Sequence, residues 1–104
     1  MSRALRHSEA FRADIRANVI HLVRTDRLEW LDLLHDDLAQ LQGLLVAVPR
    51  AGVLVKKRGA SELRKMRLRR TPFTVFYACR PDDTKGPVVM LRLWHLRANG
   101  APGW

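Results

Sequence analysis

The chain has 104 residues, 47% of them hydrophobic and 28% charged, a composition that fits one folded domain and excludes wholesale disorder. Lys and Arg number nineteen against ten Asp and Glu, which gives a net charge of +9. No apolar run approaches the roughly 20 residues of a transmembrane helix, and the first residues lack the apolar stretch of a signal peptide. We therefore expect a cytoplasmic protein with no membrane partner. A single cysteine, Cys79, excludes an intramolecular disulfide.

The positive charge is concentrated in the second half of the sequence. Residues 1–49 hold six basic and seven acidic side chains, whereas residues 50–104 hold thirteen basic and three acidic ones. A field this uneven suits a polyanionic partner, either a nucleic acid or an acidic protein segment. The alternative is a solvated basic face that only aids solubility.

The N-terminal half predicts a short strand over residues 3–7 and then two helices. Ser8 is the expected N-cap of a first helix that ends at about Arg24, and Asp26 with Glu29 has the spacing of a capping box for a second. Both helices have apolar residues at helical spacing: Phe11, Ile15, Val19 and Leu22 in the first, Leu31, Leu34, Leu38, Leu41 and Leu45 in the second. Four acids are expected off the leucine stripe: Glu29, Asp32, Asp36 and Asp37. The short connection between the helices predicts an antiparallel hairpin.

After the turn at Pro49 and Gly52, the hydrophobic period changes from 3.6 to two. Residues 53–55 predict a brief extended stretch, 56–61 a loop, and three strands follow near 63–69, 73–78 and 88–95. Tight connections favour an antiparallel meander. The predicted fold is therefore α+β, with an N-terminal helical hairpin packed on a small antiparallel sheet in the order β-α-α-β-β-β, and with residues 98–104 as a flexible tail.

Cations and a histidine are the candidate functional groups of this sheet. Lys65, Arg67 and Arg69 alternate with apolar residues, so they share one strand face at a spacing suited to phosphates or to protecting a sheet edge. His95 could transfer a proton and Arg97 could stabilise a phosphate, although a histidine that ends a strand is often structural. Trp94 fits base stacking, a protein contact or core packing.

Metal and cofactor chemistry has little support in the sequence. The four histidines are far apart, and the chain has neither a glycine-rich phosphate loop nor a helical pair of metal-binding histidines. We expect no cofactor and no metal site.

The order of elements resembles the RelE/ParE family of toxins from bacterial type II toxin-antitoxin modules. The resemblance is carried by residues 5–14, by the turn at 49–52, by the basic and aromatic strands of 65–77, and by the closing strand at 91–97 with its His-x-Arg ending. It implies one toxin domain over residues 1–97. It also implies a cognate antitoxin that wraps the toxin with an acidic or amphipathic segment.

The resemblance implies two possible targets. ParE-like members inhibit DNA gyrase, whereas RelE-like members cut messenger RNA on the ribosome. In the second case the catalytic set would be Lys65, Arg67, His95 and Arg97. Thr74 stands where that branch often has Arg, and the tail offers only Trp104 in place of a C-terminal Tyr. We therefore favour gyrase inhibition, with Arg64, Arg69, Arg70 and Trp94 as partner-binding residues and RNA cleavage as the alternative.

Overall fold

The computed structural model describes residues 3–97; the predicted tail at 98–104 lies outside them. A helical hairpin packs on one face of a five-stranded sheet whose strand order is β1-β5-β4-β3-β2. The helices are α1 (Glu9–Arg24) and α2 (Leu28–Ala47), followed by a 3-10 turn at Pro49–Ala51. The strands are β1 (Leu5–His7), β2 (Val53–Arg58), β3 (Ser61–Arg67), β4 (Phe73–Cys79) and β5 (Val88–His95). The predicted α+β arrangement is confirmed.

Helix α1 begins and ends with local hydrogen bonds. The Ser8 hydroxyl accepts a hydrogen bond from the Phe11 amide at 3.0 Å, so the predicted N-cap is confirmed. At the other end, the amides of Asp26 and Arg27 donate back to the carbonyls of Val23 and Leu22, and Asp26 has a φ of 55°. This is a Schellman termination of α1.

The capping box predicted for α2 is therefore wrong. Asp26 adopts the left-handed conformation that terminates α1, and α2 instead begins after Arg27 without a side-chain cap. Sequence spacing alone could not distinguish an N-cap of α2 from a residue that terminates α1, because Asp tolerates both the N-cap position and the left-handed conformation.

The predicted leucine stripe forms the helical side of the core. Leu34, Leu38, Leu41 and Leu45 are buried, while Leu31 at the start of the stripe is half-buried. They pack with the inner face of the sheet in one cluster, which includes Phe73, Val75, Tyr77, Met90 and Leu93. Alternation along β4 and β5 thus orients one set of apolar side chains toward the helices.

The sheet differs from the predicted meander at both edges. β1 pairs with β5 in parallel, so the sheet is mixed. The loop expected over residues 56–61 is wrong: β2 continues to Arg58 and pairs antiparallel with β3. Gly59 and Ala60 alone make the connection, and Gly59 has a φ of 59°, a conformation that glycine adopts without strain. A charged strand is hard to predict, because cations at an edge are solvated and leave no apolar alternation.

The two edges of this sheet are different. Beyond the three residues paired with β1, β5 is covered by α1: the Ser8 hydroxyl donates to the Leu91 carbonyl, and the Asp14 carboxylate accepts from the Leu93 amide at 2.9 Å. β2 is last in the strand order and all six of its residues are exposed. Compared with the three-residue edge strand β1, β2 therefore offers the longer edge for pairing with another chain.

A buried carboxylate joins the hairpin to the sheet. Asp37, on α2, accepts hydrogen bonds from the Arg70 and Thr71 amides and from the Thr71 hydroxyl, all at 2.8–2.9 Å. The sequence prediction that Asp37 lies off the leucine stripe is wrong: its side chain is 1% exposed. Its position three residues after Leu34 and four before Leu41 places it on the apolar face, where burial of an acid requires hydrogen-bond donors.

A tyrosine and a glycine determine how the chain leaves α2. The fully buried Tyr77 hydroxyl donates to the Pro49 carbonyl at 2.7 Å and accepts from the Gly52 amide at 2.9 Å. A Cβ atom on Gly52 would lie 2.6 Å from both that hydroxyl and the Lys65 carbonyl. Only glycine lets the backbone approach β3 and β4 this closely.

Two glycine substitutions should therefore have opposite effects. Gly52→Ala should lower the free energy of unfolding by about 1–3 kcal/mol, because the methyl group forces the Tyr77 side chain and the backbone apart. Gly43→Ala, the matched control within α2, should raise it by about 0.5–1 kcal/mol, because nothing lies within 4 Å of the added atom. Urea unfolding of both variants checks the signs, and equal effects would contradict the proposed close approach.

The Asp37 contacts should be visible as a pH-dependent stability. Desolvation raises the pKa of Asp37, but the hydrogen bonds from Thr71 and Arg70 together outweigh it and hold the pKa below its ordinary value of 3.8. The stabilisation is therefore complete above that value and is lost as pH falls through the folded-state pKa. Asp37→Asn should cost about 1–3 kcal/mol at neutral pH, because buried donors lose acceptors.

Urea unfolding across the pH range measures this difference. The difference in free energy of unfolding between wild type and Asp37→Asn should decrease as the pH falls below the ordinary Asp pKa. Asp36→Asn is the matched control. Asp36 is the exposed neighbour of Asp37, so this substitution should change the free energy of unfolding by no more than about 0.5 kcal/mol. A gap that is independent of pH would show that the Asp37 charge contributes nothing.

Candidate functional site

The face of the sheet opposite the helices, called here the outer face, carries two cross-strand rows. Residues directly opposite one another in a ladder share a face. In the first row the neighbours are Lys65, Phe76 and Arg92; in the second they are Arg67, Thr74 and Trp94. The outer face thus combines three cations with two aromatic rings.

Aromatic rings on the outer face lie close to its cations. The Arg92 guanidinium lies 5.2 Å from the centre of the Trp94 ring, within cation–π range. Phe76 is only 5% exposed although it points away from the leucine core. Its register between Lys65 and Arg92 indicates that their alkyl stems cover the ring. The charged groups of Lys65 and Arg92 therefore lie over a buried aromatic side chain.

Arg92 is held by an acid of α1. Its guanidinium donates two hydrogen bonds to the Asp14 carboxylate, at 2.8 and 3.0 Å, and the hydrogen bond raises the pKa of Arg92. The same carboxylate accepts from the β5 backbone at Leu93. Arg92 is thus partly neutralised, whereas Lys65 and Arg67 are exposed. The unbalanced positive charge of the outer face lies toward β3.

Arg64, predicted to bind a partner, lies on the inner side of β3, and its side chain makes hydrogen bonds within the fold. Its side chain is 13% exposed, donates to the buried Glu62 carboxylate at 2.8 Å and donates to the Gly52 carbonyl at 2.7 Å. The hydrogen bond from Arg64 is the main reason that the pKa of Glu62 is lowered. Arg64 therefore does not belong with Lys65 and Arg67, the exposed cations of the outer face.

Arg69 and Arg70 lie in the β3–β4 turn. Arg69 is exposed, while Arg70 is half-exposed, with its Nε 3.5 Å from the Asp37 carboxylate. Their role as partner contacts stays a prediction. Both follow the end of β3, and the Arg70 side chain is turned toward Asp37 of α2.

His95 does not share a sheet face with Lys65 and Arg67. The register places His95 opposite Phe73, on the face turned toward the helices, and the two rings meet edge to face at 5.1 Å. The His95 Nδ1 accepts a hydrogen bond from the Arg97 amide at 3.0 Å, and the Arg97 side chain is exposed. The sequence suggested one catalytic set for the ribonuclease alternative. Strand alternation places His95 on the face opposite Lys65 and Arg67, while Arg97 follows the end of β5 and its role stays a prediction.

Three acids that sequence analysis did not select determine the layout of the site. Asp14, Asp37 and Glu62 each hold an arginine or a backbone amide of the sheet. A signal for Asp37 existed in its helical spacing with the leucines, and alternation along β3 assigns Glu62 to the inner face together with Met66. Asp14 had no such signal, since its partners lie 78 and 79 residues further along the chain.

Within residues 3–97, no three His, Cys, Asp or Glu side chains lie close enough together to hold a metal ion. Nor does any helix in that range have the length and apolar character needed to cross a membrane.

The different placement of two arginines on β3 can be tested by stability. Arg64→Ala should cost about 2 kcal/mol, because it removes hydrogen bonds to the buried Glu62 carboxylate and to a backbone carbonyl. Arg67→Ala, which removes the same charge from the outer face, should change the free energy of unfolding by no more than about 0.5 kcal/mol. Urea unfolding at neutral pH measures both, and equal losses would contradict the assigned faces.

Comparison with known proteins identifies a similar solved structure. A chain of the "Chromosomal ParDE TA system from P. aeruginosa" matches with a TM-score of 0.65 and 20% sequence identity, covering 91% of this chain and 97% of that one. No protein-family model and no curated protein matches. The fold implied by the resemblance to RelE/ParE toxins is therefore confirmed, and this chain has the fold of a chain from a ParDE toxin-antitoxin system.

Proposed function

We propose that this protein is the toxin of a type II toxin-antitoxin module, that it arrests growth in the cytoplasm by inhibiting DNA gyrase, and that a cognate antitoxin neutralises it. The fold shared with a chain of a ParDE system supports the module. The observation that carries the choice of target is the separation of His95 from Lys65 and Arg67 on opposite faces of the sheet.

That separation argues for binding rather than catalysis. Cleavage of RNA by attack of its 2′-hydroxyl needs a proton-transfer group and cations around the same phosphate. The outer face supplies the cations, but the residue between Arg67 and Trp94 is Thr74, whose hydroxyl is a poor base at neutral pH. A cationic surface without a nearby base is suited to holding a partner.

The antitoxin is proposed to bind along β2. The first half of this strand exposes the apolar residues Val53, Leu54 and Val55, and the second half exposes three cations, Lys56, Lys57 and Arg58. An extended segment can add to such an edge through main-chain hydrogen bonds, while acidic side chains pair with the cations. The exposed apolar residues Ile20 and Val23 on α1 and Leu28 at the start of α2 would suit an amphipathic helix of the same partner.

A supercoiling assay with purified gyrase tests the target. Added at micromolar concentration, the protein should reduce the supercoiling of relaxed plasmid, and a small acidic protein encoded beside it should restore activity. Unchanged supercoiling would reject gyrase as the target. Lys65→Ala combined with Arg67→Ala then asks whether the outer face contributes to binding. Arg12→Ala combined with Arg16→Ala, two exposed positions on α1, is the charge-matched control.

The alternative, a ribosome-dependent ribonuclease of the RelE type, rests on the exposed pair Lys65 and Arg67 next to Trp94. It predicts that messenger RNA is cut in arrested cells while supercoiling continues. Under this alternative Arg97→Ala should relieve both arrest and cleavage. Intact messages in arrested cells would reject it.

A further inference from the structure

One row of aligned residues crosses all five strands on the outer face of the sheet. From β2 to β1 the row consists of a cation, three apolar residues and a second cation: Lys56, Leu63, Ala78, Val89 and Arg6. Residues aligned in this way share a face, and Leu63 precedes the outer-face residue Lys65 by two positions on β3. The two cations are exposed, and the three apolar residues are half-buried.

The apolar middle of this row continues into a hollow of about 240 Å³. Leu63, Ala78 and Leu91 line the hollow, and Leu91 is the extra residue at the bulge of β5. The name apolar strip is used here for Leu63, Ala78, Val89 and Leu91. All four side chains are aliphatic and only half-buried, so the strip keeps apolar surface that a partner can cover.

Cations border the apolar strip on both sides. Lys56 and Arg58 of β2 line the hollow on one side, and Arg6 of β1 lies on the other. The hollow is also lined by an acid, Glu62, but alternation turns this side chain to the inner face, where its carboxylate accepts from Arg64 at 2.8 Å. The borders of the strip on the outer face are therefore positive.

The width of the apolar strip fits one α-helix. Neighbouring strands lie about 4.8 Å apart, so the strip spans roughly 10 Å from β3 to β5, and four such steps, roughly 19 Å, separate Lys56 from Arg6. A helix with its side chains is about 10–12 Å wide. The next row repeats the order of cation, apolar residue and cation with Lys65, Phe76 and Arg92. A helix that lies along the strands would therefore have cations beside both of its flanks.

We propose that the apolar strip binds an amphipathic helix whose apolar stripe is flanked on both sides by acidic residues. The inference rests on the proposed function in taking the cognate antitoxin as the source of this helix. Apolar contact holds the stripe, and the bordering cations select the acidic flanks. An aliphatic strip offers no ring on which a base could stack, which favours a helix over a nucleic acid.

The position of the strip connects this helix to neutralisation. The strip lies on the same face as Lys65 and Arg67, the cations proposed to contact the target. A helix bound along the strands covers part of that surface. The antitoxin would thus compete directly with the target for the outer face.

A fluorescein-labelled peptide with leucines at helical spacing and glutamates on both flanks tests this surface. A peptide of about 18 residues matches the eight-residue strand β5, because both span about 27 Å. A second peptide has the same composition in an order without an apolar stripe. In anisotropy titrations with the full-length protein, the first peptide should bind about tenfold more tightly and gain helical circular dichroism. Equal affinities of the two peptides would overturn the proposal.

Charge substitutions locate the bound helix. Lys56→Ala combined with Arg6→Ala removes a cation from each border and should weaken the first peptide about fivefold. Lys57→Ala combined with Arg12→Ala is the control with the same net charge: Lys57 is aligned with Glu62 and so faces the inner side, and Arg12 lies on α1. The control should leave the affinity unchanged. Equal weakening by both pairs would mean attraction to positive charge in general and would refute the site.

A substitution in the strip tests the apolar contact. Ala78→Gln places a longer polar side chain in the strip and should weaken the first peptide about tenfold, while Ala17→Gln, at an exposed position on α1, should not. Urea unfolding checks that both variants are folded. Unchanged affinity in folded Ala78→Gln would contradict the proposal. No step uses gyrase, so unchanged supercoiling in the gyrase assay rejects the target, whereas these peptide results accept or reject the strip.

Discussion

The carboxylate of Asp37 is the interaction on which the rest of the structure depends. It connects the middle of α2 to the β3–β4 turn, and three donors from Arg70 and Thr71 converge on it. The contact determines where the hairpin sits along the sheet, and so which sheet residues the leucine stripe covers. It also orders the turn that contains Arg69 and Arg70.

Asp37 is one of three acids that organise a strongly basic protein. Asp14 covers the open part of the β5 edge and holds Arg92, while Glu62 holds Arg64 below β2 and β3. Each acid accepts hydrogen bonds from arginines or backbone amides within the fold. Burial strengthens a hydrogen bond to a charged group. Because these acids are used internally, many of the cations of β2, β3 and the following turn stay exposed at the surface.

Strand alternation then divides the remaining chemistry between two faces. Lys65, Arg67 and Trp94 lie on the outer face, and His95 lies on the helix side with Phe73. The fold thus gives His95 and the β3 cations Lys65 and Arg67 different surroundings. This separation supports the proposal that the outer face and the β2 edge are binding surfaces, and His95 lines a separate cleft on the helix side.

The sequence by itself determined the two helices, the three central strands and the concentration of charge in the second half, because apolar periodicity and composition are local properties. Only the tertiary structure decided the parallel pairing of β1, the length of β2, the burial of Asp37 and the placement of Arg64 inside the fold. Each of these depends on partners far away in the chain, such as Met90 for His7 or Arg70 for Asp37. The side of the sheet that a polar residue occupies likewise follows from register, which long-range packing determines and local spacing cannot.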